Sequence, residues 1–598
     1  MGMMDHNTST SIATPLDLLR SEMRRRALDG FVVPRADEHQ GEYVPPSAKR
    51  LAWLTGFTGS AGVAVVLGDA AAVFSDGRYT LQVRDEVDTG RFETRHITDD
   101  PPSGWLRRNV TAGQRIGYDP WLHTPDDVRR MADAVTAAGG ELVACRENPL
   151  DAVWPDRPEP PMSAATVYPV ELSGRVGLDK RREVAATLER DGEDAAVLTL
   201  PDSIAWLLNV RGRDLPCTPV VLSFAVVYRD ASVDWFVETE KVGPDVRAHL
   251  DDAVRVRPRE DFVPVLQEIA ANGGVVRVDP GSVPAVVTDI LRAAGAKVSR
   301  GGDPCLLPKA CKNAVELDGF RRAHRHDAVA MARFLAWFEG NGAGKTEKAL
   351  SDRLLGFRRE RPSFVGPSFP TIAGAGPNGA IVHYHVHAET ARTLERGEVF
   401  LLDSGAHYTE GTTDVTRTLA VGEVDAEIRR NFTLVLQGNI DLALAIFPKG
   451  TTGSQIDALA RRWLWAEGLD YDHGTGHGVG AFLSVHEGPQ RIGKAPNMVA
   501  LAPGMVVSNE PGYYKTDAYG IRIENLLAVR PVEGGERPML GFEALTLVPI
   551  DRRLIIAEML LPDQRDWLNA YHTRVAEVVG PLLESTTADW LAEATRPL

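Results

Sequence analysis

Cysteine is scarce in this chain: Cys145, Cys217, Cys305 and Cys311 are the only four among 598 residues. Their spacing fits neither a zinc module nor a disulfide framework, which points to a reducing compartment, the cytoplasm. Long apolar runs are missing as well, since none approaches the roughly 18 residues a membrane helix needs. The opening MGMMDHNTSTSIATP has no apolar stretch and no basic lead-in, so it does not read as a secretory leader. His6 stands where an acylation motif beginning at Gly2 would need Ser or Thr. Basic charge is in deficit, with Lys+Arg 66 against Asp+Glu 82 and a formal net charge of −16. Such a surface repels nucleic acid and anionic lipid. The cluster Arg24-Arg25-Arg26 reads as the solvated face of a helix.

The length exceeds what one hydrophobic core serves, so about three domains are expected. Thr14-Pro15 reads as an N-cap and first helical position after an unstructured tail, and Leu16, Leu19 and Met23 keep helical spacing up to Gly30. Strand-like GFVVP, VAVVL and AAVF follow, then a helical TPDDVRRMADAVTAAGG, an alternation that argues α/β. The proline-rich NPLDAVWPDRPEPP closes this region as a linker. The plan then repeats. Trp53-Leu54 after GFVVP is echoed 153 positions on by Trp206-Leu207 after AAVLTLP, and Asp119-Pro120 is echoed 160 positions on by Asp279-Pro280. Offsets this long and unequal fit one duplicated domain rather than a solenoid. GGDPCLLPKACKN marks a second boundary, and a long helix begins at Asn313 with Val315, Phe320 and Ala323 inward. The expected domains are 1–155, 156–310 and 311–598.

All the pointed chemistry falls between residues 381 and 524. In FLLDSGAHYTEGTTDVTRTL, Asp403 and Asp414 flank a turn marked by Gly405 and Gly411, which reads as a β-hairpin aiming two carboxylates at one cavity. HGTGHGVG adds His473 and His477, SVHEGP adds His486, VSNEPGYY adds Glu510 and GIRIEN adds Glu524; upstream, IVHYHVH holds His383. Two Asp, one His and two Glu make a hard, oxygen-rich set, and four carboxylates can neutralise two divalent cations. Other motifs fail. HGTGHGVG lacks the Lys-Ser/Thr of a phosphate loop, HEGP cannot be a zincin helix, and in TGSAG Thr58 replaces the first Gly of a nucleophile elbow.

These motifs, in this order, resemble the three-domain, cytosolic-type Xaa-Pro aminopeptidases (aminopeptidase P) of the creatinase-like pita-bread metallopeptidases, over nearly the whole chain. The resemblance implies two related α/β domains ahead of an α+β pita-bread catalytic domain built from two pseudo-symmetric halves. It implies that Asp403 holds one metal, His477 and Glu510 the other, and that Asp414 and Glu524 bridge them. A shared water, acidified by two cations, would be the nucleophile. Glu510 matches the proton shuttle, His383 and His486 the two histidines that stabilise developing oxygen charge, and Arg522 the arginine paired with the Asp403-type carboxylate. If 381–387 is a strand, His383, His385 and His387 share one face, but the family motif covers only the first; the other two read as polar lining or surface. The family's usual metal is Mn²⁺, with Zn²⁺ or Co²⁺ also suited to the donors. A homodimer acting on peptides with proline second is implied, in the cytoplasm, with no nucleic-acid or membrane partner. Three rivals share the fold: a prolidase limited to dipeptides, a metal-free creatinase-type hydrolase, and a binding module that has lost catalysis. The duplicated N-terminal half argues against the first, and the full ligand set against the other two.

Overall fold

The computed structural model describes residues 13–598, and the expectations about the tail, leader and acylation motif lie outside the described residues. The first helix is Pro15–Arg25, capped by Thr14 in a reciprocal box with Asp17, with Leu16, Leu19 and Met23 buried. The chain forms two compact units: one reaches Pro161 and includes Leu266–Ala271 and Asp279–Val298, and the other holds Met162–Val265, Asn272–Val278 and Ser299–Leu598. Among the described residues no helix is long and apolar enough to cross a membrane. All four cysteines are free.

The duplication read from sequence has a topological counterpart. One sheet orders Glu93–His96, Ala71–Ser75, Val63–Leu67, Gly30–Pro34, Arg115–Tyr118 and Glu141–Ala144. A second orders Val254–Arg257, Val233–Phe236, Phe224–Tyr228, Ala195–Leu198, Val275–Val278 and Lys297–Arg300. In each, the first three strands in sequence form an antiparallel meander, with parallel pairings on either side of it. The echoed Trp53 and Trp206 occupy equivalent helices, Arg50–Thr55 and Pro201–Leu208, each between the first two strands of its sheet.

Residues 311–598 carry four further sheets, of which three position the candidate site. The helix Ala314–Asn341 starts at Asn313, which accepts from the Val315 and Glu316 amides; Phe320 and Ala323 are buried and Val315 half-buried. Three strands run in the order Ile372–Ala375, Val399–Ser404, Val415–Ala420, all antiparallel, with Asp403 paired to Ile372 on one side and Thr416 on the other. The expected hairpin is therefore present, though its connection is more than a turn. Residues between the strands fold into a second hairpin, Ala406–Tyr408 with Gly411–Thr412, which pairs with Phe364–Pro367 in a separate sheet. Asn525–Val532, Val506–Asn509 and Gly476–Gly478 neighbour one another in a six-stranded sheet. The glycine density of HGTGHGVG follows from this packing. A Cβ on Gly476 would collide with the Ser508 carbonyl of the adjoining strand.

Candidate metal centre

Each candidate ligand sits in or next to a strand, where a register-fixed backbone aims it inward. Asp403 is the penultimate residue of its strand; Asp414 precedes Val415–Ala420; His477 is central in Gly476–Gly478; Glu510 follows Val506–Asn509; Glu524 precedes Asn525–Val532. Asp403, Asp414 and Glu524 are buried, whereas His477 and Glu510 are half-buried. Donor atoms of Asp414, His477 and Glu524 all lie within 4.8 Å of one another. His477 Nε2 stands 3.4 Å from Asp414 Oδ2 and 3.5 Å from Glu510 Oε1. The structure thus brings Asp414, His477, Glu510 and Glu524 into one cluster.

Asp403 joins the cluster electrostatically. Its Oδ2 accepts from Arg522 Nη2 at 2.7 Å, while its buried Oδ1 has no hydrogen-bond partner. Burial lifts the Asp403 carboxyl to about 6; the Arg522 charge opposes the rise, and Asp414 and Glu510 add to it. Glu524 is driven well above the ordinary carboxyl range, first by burial and then by the charges of Asp414, Asp403 and Glu510. For His477, burial acts to lower the pKa, but the Asp414 hydrogen bond and the charge of Glu510 overcome it and hold the imidazole near 9.

These shifts share a cause: four carboxylates are crowded where water cannot screen them. Divalent cations remove that repulsion, and an orphaned buried carboxylate oxygen beside a hard-donor cluster suits them. The imidazole is pre-set for the same task. Its Nδ1 donates to the Gly478 carbonyl at 2.9 Å, a bond that keeps a proton on Nδ1, so a cation that displaced the Nε2 proton would meet the lone pair of the atom facing the carboxylates.

Neighbouring polar side chains fix the carboxylates. Thr416 Oγ1 donates to Glu524 Oε2 at 2.7 Å, and the Glu524 amide donates to the Thr416 carbonyl. Ser508 Oγ donates to Glu510 Oε1 at 3.1 Å. Arg522 is 1% exposed, so it is no surface arginine; besides Asp403 it donates to the Tyr514 hydroxyl at 2.5 Å and the Val382 carbonyl at 3.4 Å. The Tyr514 hydroxyl lies 2.8 Å from His473 Nε2. Thr416, Ser508, Tyr514 and His473 were given no such role by the sequence reading. Thr416 and Ser508 stand two residues from a candidate ligand on a strand, a spacing that could have flagged them.

The histidines divide. The His486 ring packs edge-on against His477 with centroids 4.3 Å apart, so it borders the cluster. His383 is half-buried, and its preceding carbonyl is tied to Arg522. The strand considered for 381–387 does not form. The segment is a turn followed by irregular backbone, so period-two alternation does not apply, and His385 is half-buried while His387 is exposed. The reason lies in Tyr384, whose side chain turns inward to Glu347 and Thr390 and pulls the segment into a loop.

The fold and this cluster define a class. Residues 318–531 match the metallopeptidase family M24, residues 538–598 the C-terminal region of peptidase M24, and residues 15–151 and 156–316 each a creatinase/prolidase N-terminal domain. The chain belongs to the M24 metallopeptidases, with creatinase-type domains ahead of a pita-bread domain. Within that class its relatives include proteins named as aminopeptidases of the Xaa-Pro type. It is 39% identical to aminopeptidase P2 of Arabidopsis thaliana over 96% of this chain and 86% of that one. It is 39% identical to a protein of Paracoccidioides brasiliensis (strain Pb03) named probable Xaa-Pro aminopeptidase P, over 97% and 98% of the two chains. The crystal structure of X-prolyl aminopeptidase from Caenorhabditis elegans, described as a cytosolic enzyme with a di-nuclear active site, matches with a TM-score of 0.93 at 35% identity, covering 98% of this chain and 99% of that one.

Proposed function

We propose that this protein is a metal-dependent Xaa-Pro aminopeptidase, hydrolysing the first peptide bond of peptides with proline in second place. The observation that carries the reading is the convergence of Asp414, His477 and Glu524 donor atoms within 4.8 Å, beside the unpartnered Asp403 Oδ1. The candidate ligands are Asp403, Asp414, His477, Glu510 and Glu524, and the donor set suits two divalent cations, Mn²⁺ first, with Zn²⁺ or Co²⁺ as substitutes. When bound, such a pair supplies an acidified water and a Lewis acid for the scissile carbonyl.

The remaining work falls to side chains. Ser508 occupies Glu510 Oε1, which leaves Oε2 to take a proton from the attacking water and pass it to the leaving nitrogen. His486 and His383 donate imidazole N–H groups to the oxygen on which charge develops. Arg522 holds Asp403 in one orientation through Oδ2. The free amine of the peptide sits at the metal site beside Asp403, so only the first bond reaches the nucleophile. The bond before proline has no N–H, and a shallow apolar seat suffices for the ring. Another residue there would leave its N–H unpaired at about 1–3 kcal/mol.

We infer three domains, 1–155, 156–310 and 311–598, a reading supported by creatinase-type matches over 15–151 and 156–316 and an M24 match over 318–531. A cytoplasmic homodimer is the assembly that the family resemblance implies, and the C. elegans relative is described as cytosolic. The test uses Arg-Pro-Pro-Gly-Phe, free and N-acetylated, beside the dipeptide Arg-Pro. Release of Arg from the free pentapeptide alone is expected. Cleavage of the dipeptide alone would mark a prolidase, and equal cleavage of the acetylated peptide would remove the amine anchor from the mechanism.

A further inference from the structure

His486 is carried by residues 479–486, the loop between the strands Gly476–Gly478 and Glu487–Ile492. The loop does little to hold itself. Its own backbone bond runs from the Gly480 amide to the Ser484 carbonyl, and Phe482 sits at φ 50°, the left-handed region that a bulky side chain avoids. A conformation of that kind persists only where its surroundings impose it.

The imposing groups come from far upstream in sequence. Arg211, 4% exposed, donates from Nε to the Phe482 carbonyl at 2.6 Å and from Nη2 to the Ala481 carbonyl at 3.1 Å, one fork on two successive peptide groups. Its Nη1 donates to the Ala205 and Val210 carbonyls at 3.2 and 2.9 Å. The guanidinium carbon lies 3.9 Å from the centroid of the Tyr168 ring, which also packs against Phe482. These bonds all end on carbonyls and none on a carboxylate. Burial lowers the Arg211 pKa to about 10, the sign of a charge held in the interior at a cost. On the far side, Phe482 meets His407 edge-on, and His407 Nε2 is bonded to the Cys217 carbonyl at 2.8 Å. Leu483 is buried within the apolar cluster formed by residues 165–254 and Cys305.

The other end of the loop is fixed as firmly. Glu487, the residue after His486, has a fully buried side chain paired with Lys309 at 2.9 Å and with Lys312. Lys309 also reaches Asp202 at 2.7 Å. His486 thus hangs between two anchor points, and the cationic side chains at both, Arg211, Lys309 and Lys312, lie within residues 211–312.

We propose that Arg211 is a positioning residue for the reaction, with Lys309 and Lys312 as its counterpart: by fixing the loop backbone on both sides, they set where the His486 imidazole N–H points. The span of the second creatinase-type match, residues 156–316, supplies all three and is then part of the catalytic apparatus, not an appendage. This rests on reading His486 as a transition-state donor, and the test separates the two.

Arg211→Met, His486→Ala and the double variant are compared as full-length, metal-loaded enzymes. Arg211→Met should lower kcat roughly tenfold to a hundredfold, the range expected for a donor displaced by about 1 Å, with KM and metal content near wild type. Amide exchange should rise in peptides spanning 479–487 and stay unchanged in those spanning 399–420. The double variant should be no slower than His486→Ala. Losses that multiply in the double variant, or unchanged exchange at 479–487, overturn the positioning role. Normal turnover of His486→Ala would instead retire the donor reading, with exchange still reporting on the anchor. Should Arg211→Met fail to fold, Lys312→Met probes the opposite anchor by the same measurements.

Discussion

The carboxylates of the cluster and the histidines beside it are held by different physics. Asp403, Asp414, Glu510 and Glu524 lie beside strand ends, where an antiparallel ladder fixes the backbone, while Arg522, Ser508 and Thr416 fix the side chains of Asp403, Glu510 and Glu524. His383 and His486 lie in irregular segments whose shape comes from buried ionic or polar groups, Glu347 for the first, Arg211 and Glu487 for the second. A strand position is robust because slipping it breaks many bonds at once. A loop held by one buried group is only as firm as that group. The difference suits the chemistry, in which ligands must not move between turnovers while donors need only meet charge as it develops.

The largest expected effect comes from the carboxylate side. Asp414 is central to the three-residue donor cluster and faces His477 Nε2. Asp414→Asn removes a charge and offers an amide N–H to a cation, so it should strip most bound metal and nearly all activity while leaving the fold intact. Elemental analysis beside turnover checks this. A variant with two metals per chain and normal kcat would break the ligand assignment.

Next come the histidines, which sharpen the comparison by separating chemistry from metal binding. His486→Ala and His383→Ala should keep full metal content and lose roughly 10²–10³ in kcat, the usual loss for one transition-state donor. His385→Ala and His387→Ala should stay near wild type. Metal loss in the first pair, or a collapse of kcat in the second, reverses these roles.

How much of this was legible in the sequence follows the same division. Strand-borne residues announced themselves, because a carboxylate beside glycine at the end of an apolar run is a local pattern. Asp403 and Asp414 could be placed on facing strands from FLLDSG and GTTDVTRT alone, and the twofold α/β plan was visible in the echoed Trp-Leu and Asp-Pro pairs. The excursion between Asp403 and Asp414 was not, since its partner strand Phe364–Pro367 lies about 40 residues upstream of it. Histidine placement was least legible. Alternation in IVHYHVH invited a strand, and tertiary pull on Tyr384 overrode it. Arg211 gave no sequence hint, because the loop carbonyls it holds are roughly 270 residues away.

The smallest effect, and the finest test of the comparison, concerns Glu347. Its side chain, 0% exposed, is the hub on which residues 375–392 are hung. Oε1 accepts from the Ala375 amide at 2.6 Å and from Asn378 Nδ2 at 3.1 Å. Oε2 accepts from the Arg392 amide at 2.8 Å, the Tyr384 hydroxyl at 3.0 Å and Asn378 Nδ2 at 3.0 Å. Both oxygens are needed as acceptors, so Glu347→Gln must set an NH₂ against at least one N–H. Two donors facing one another in the interior leave a group unpaired, at about 1–3 kcal/mol. No candidate ligand belongs to this hub, so metal content should hold. What should loosen is the segment carrying His383, seen as faster amide exchange over 376–392 and a fall in kcat of about tenfold, well short of His383→Ala. If exchange rises while kcat stays at the wild-type value, His383 does not depend on its loop, and the contrast between strand-held ligands and loop-held donors fails on this side of the site.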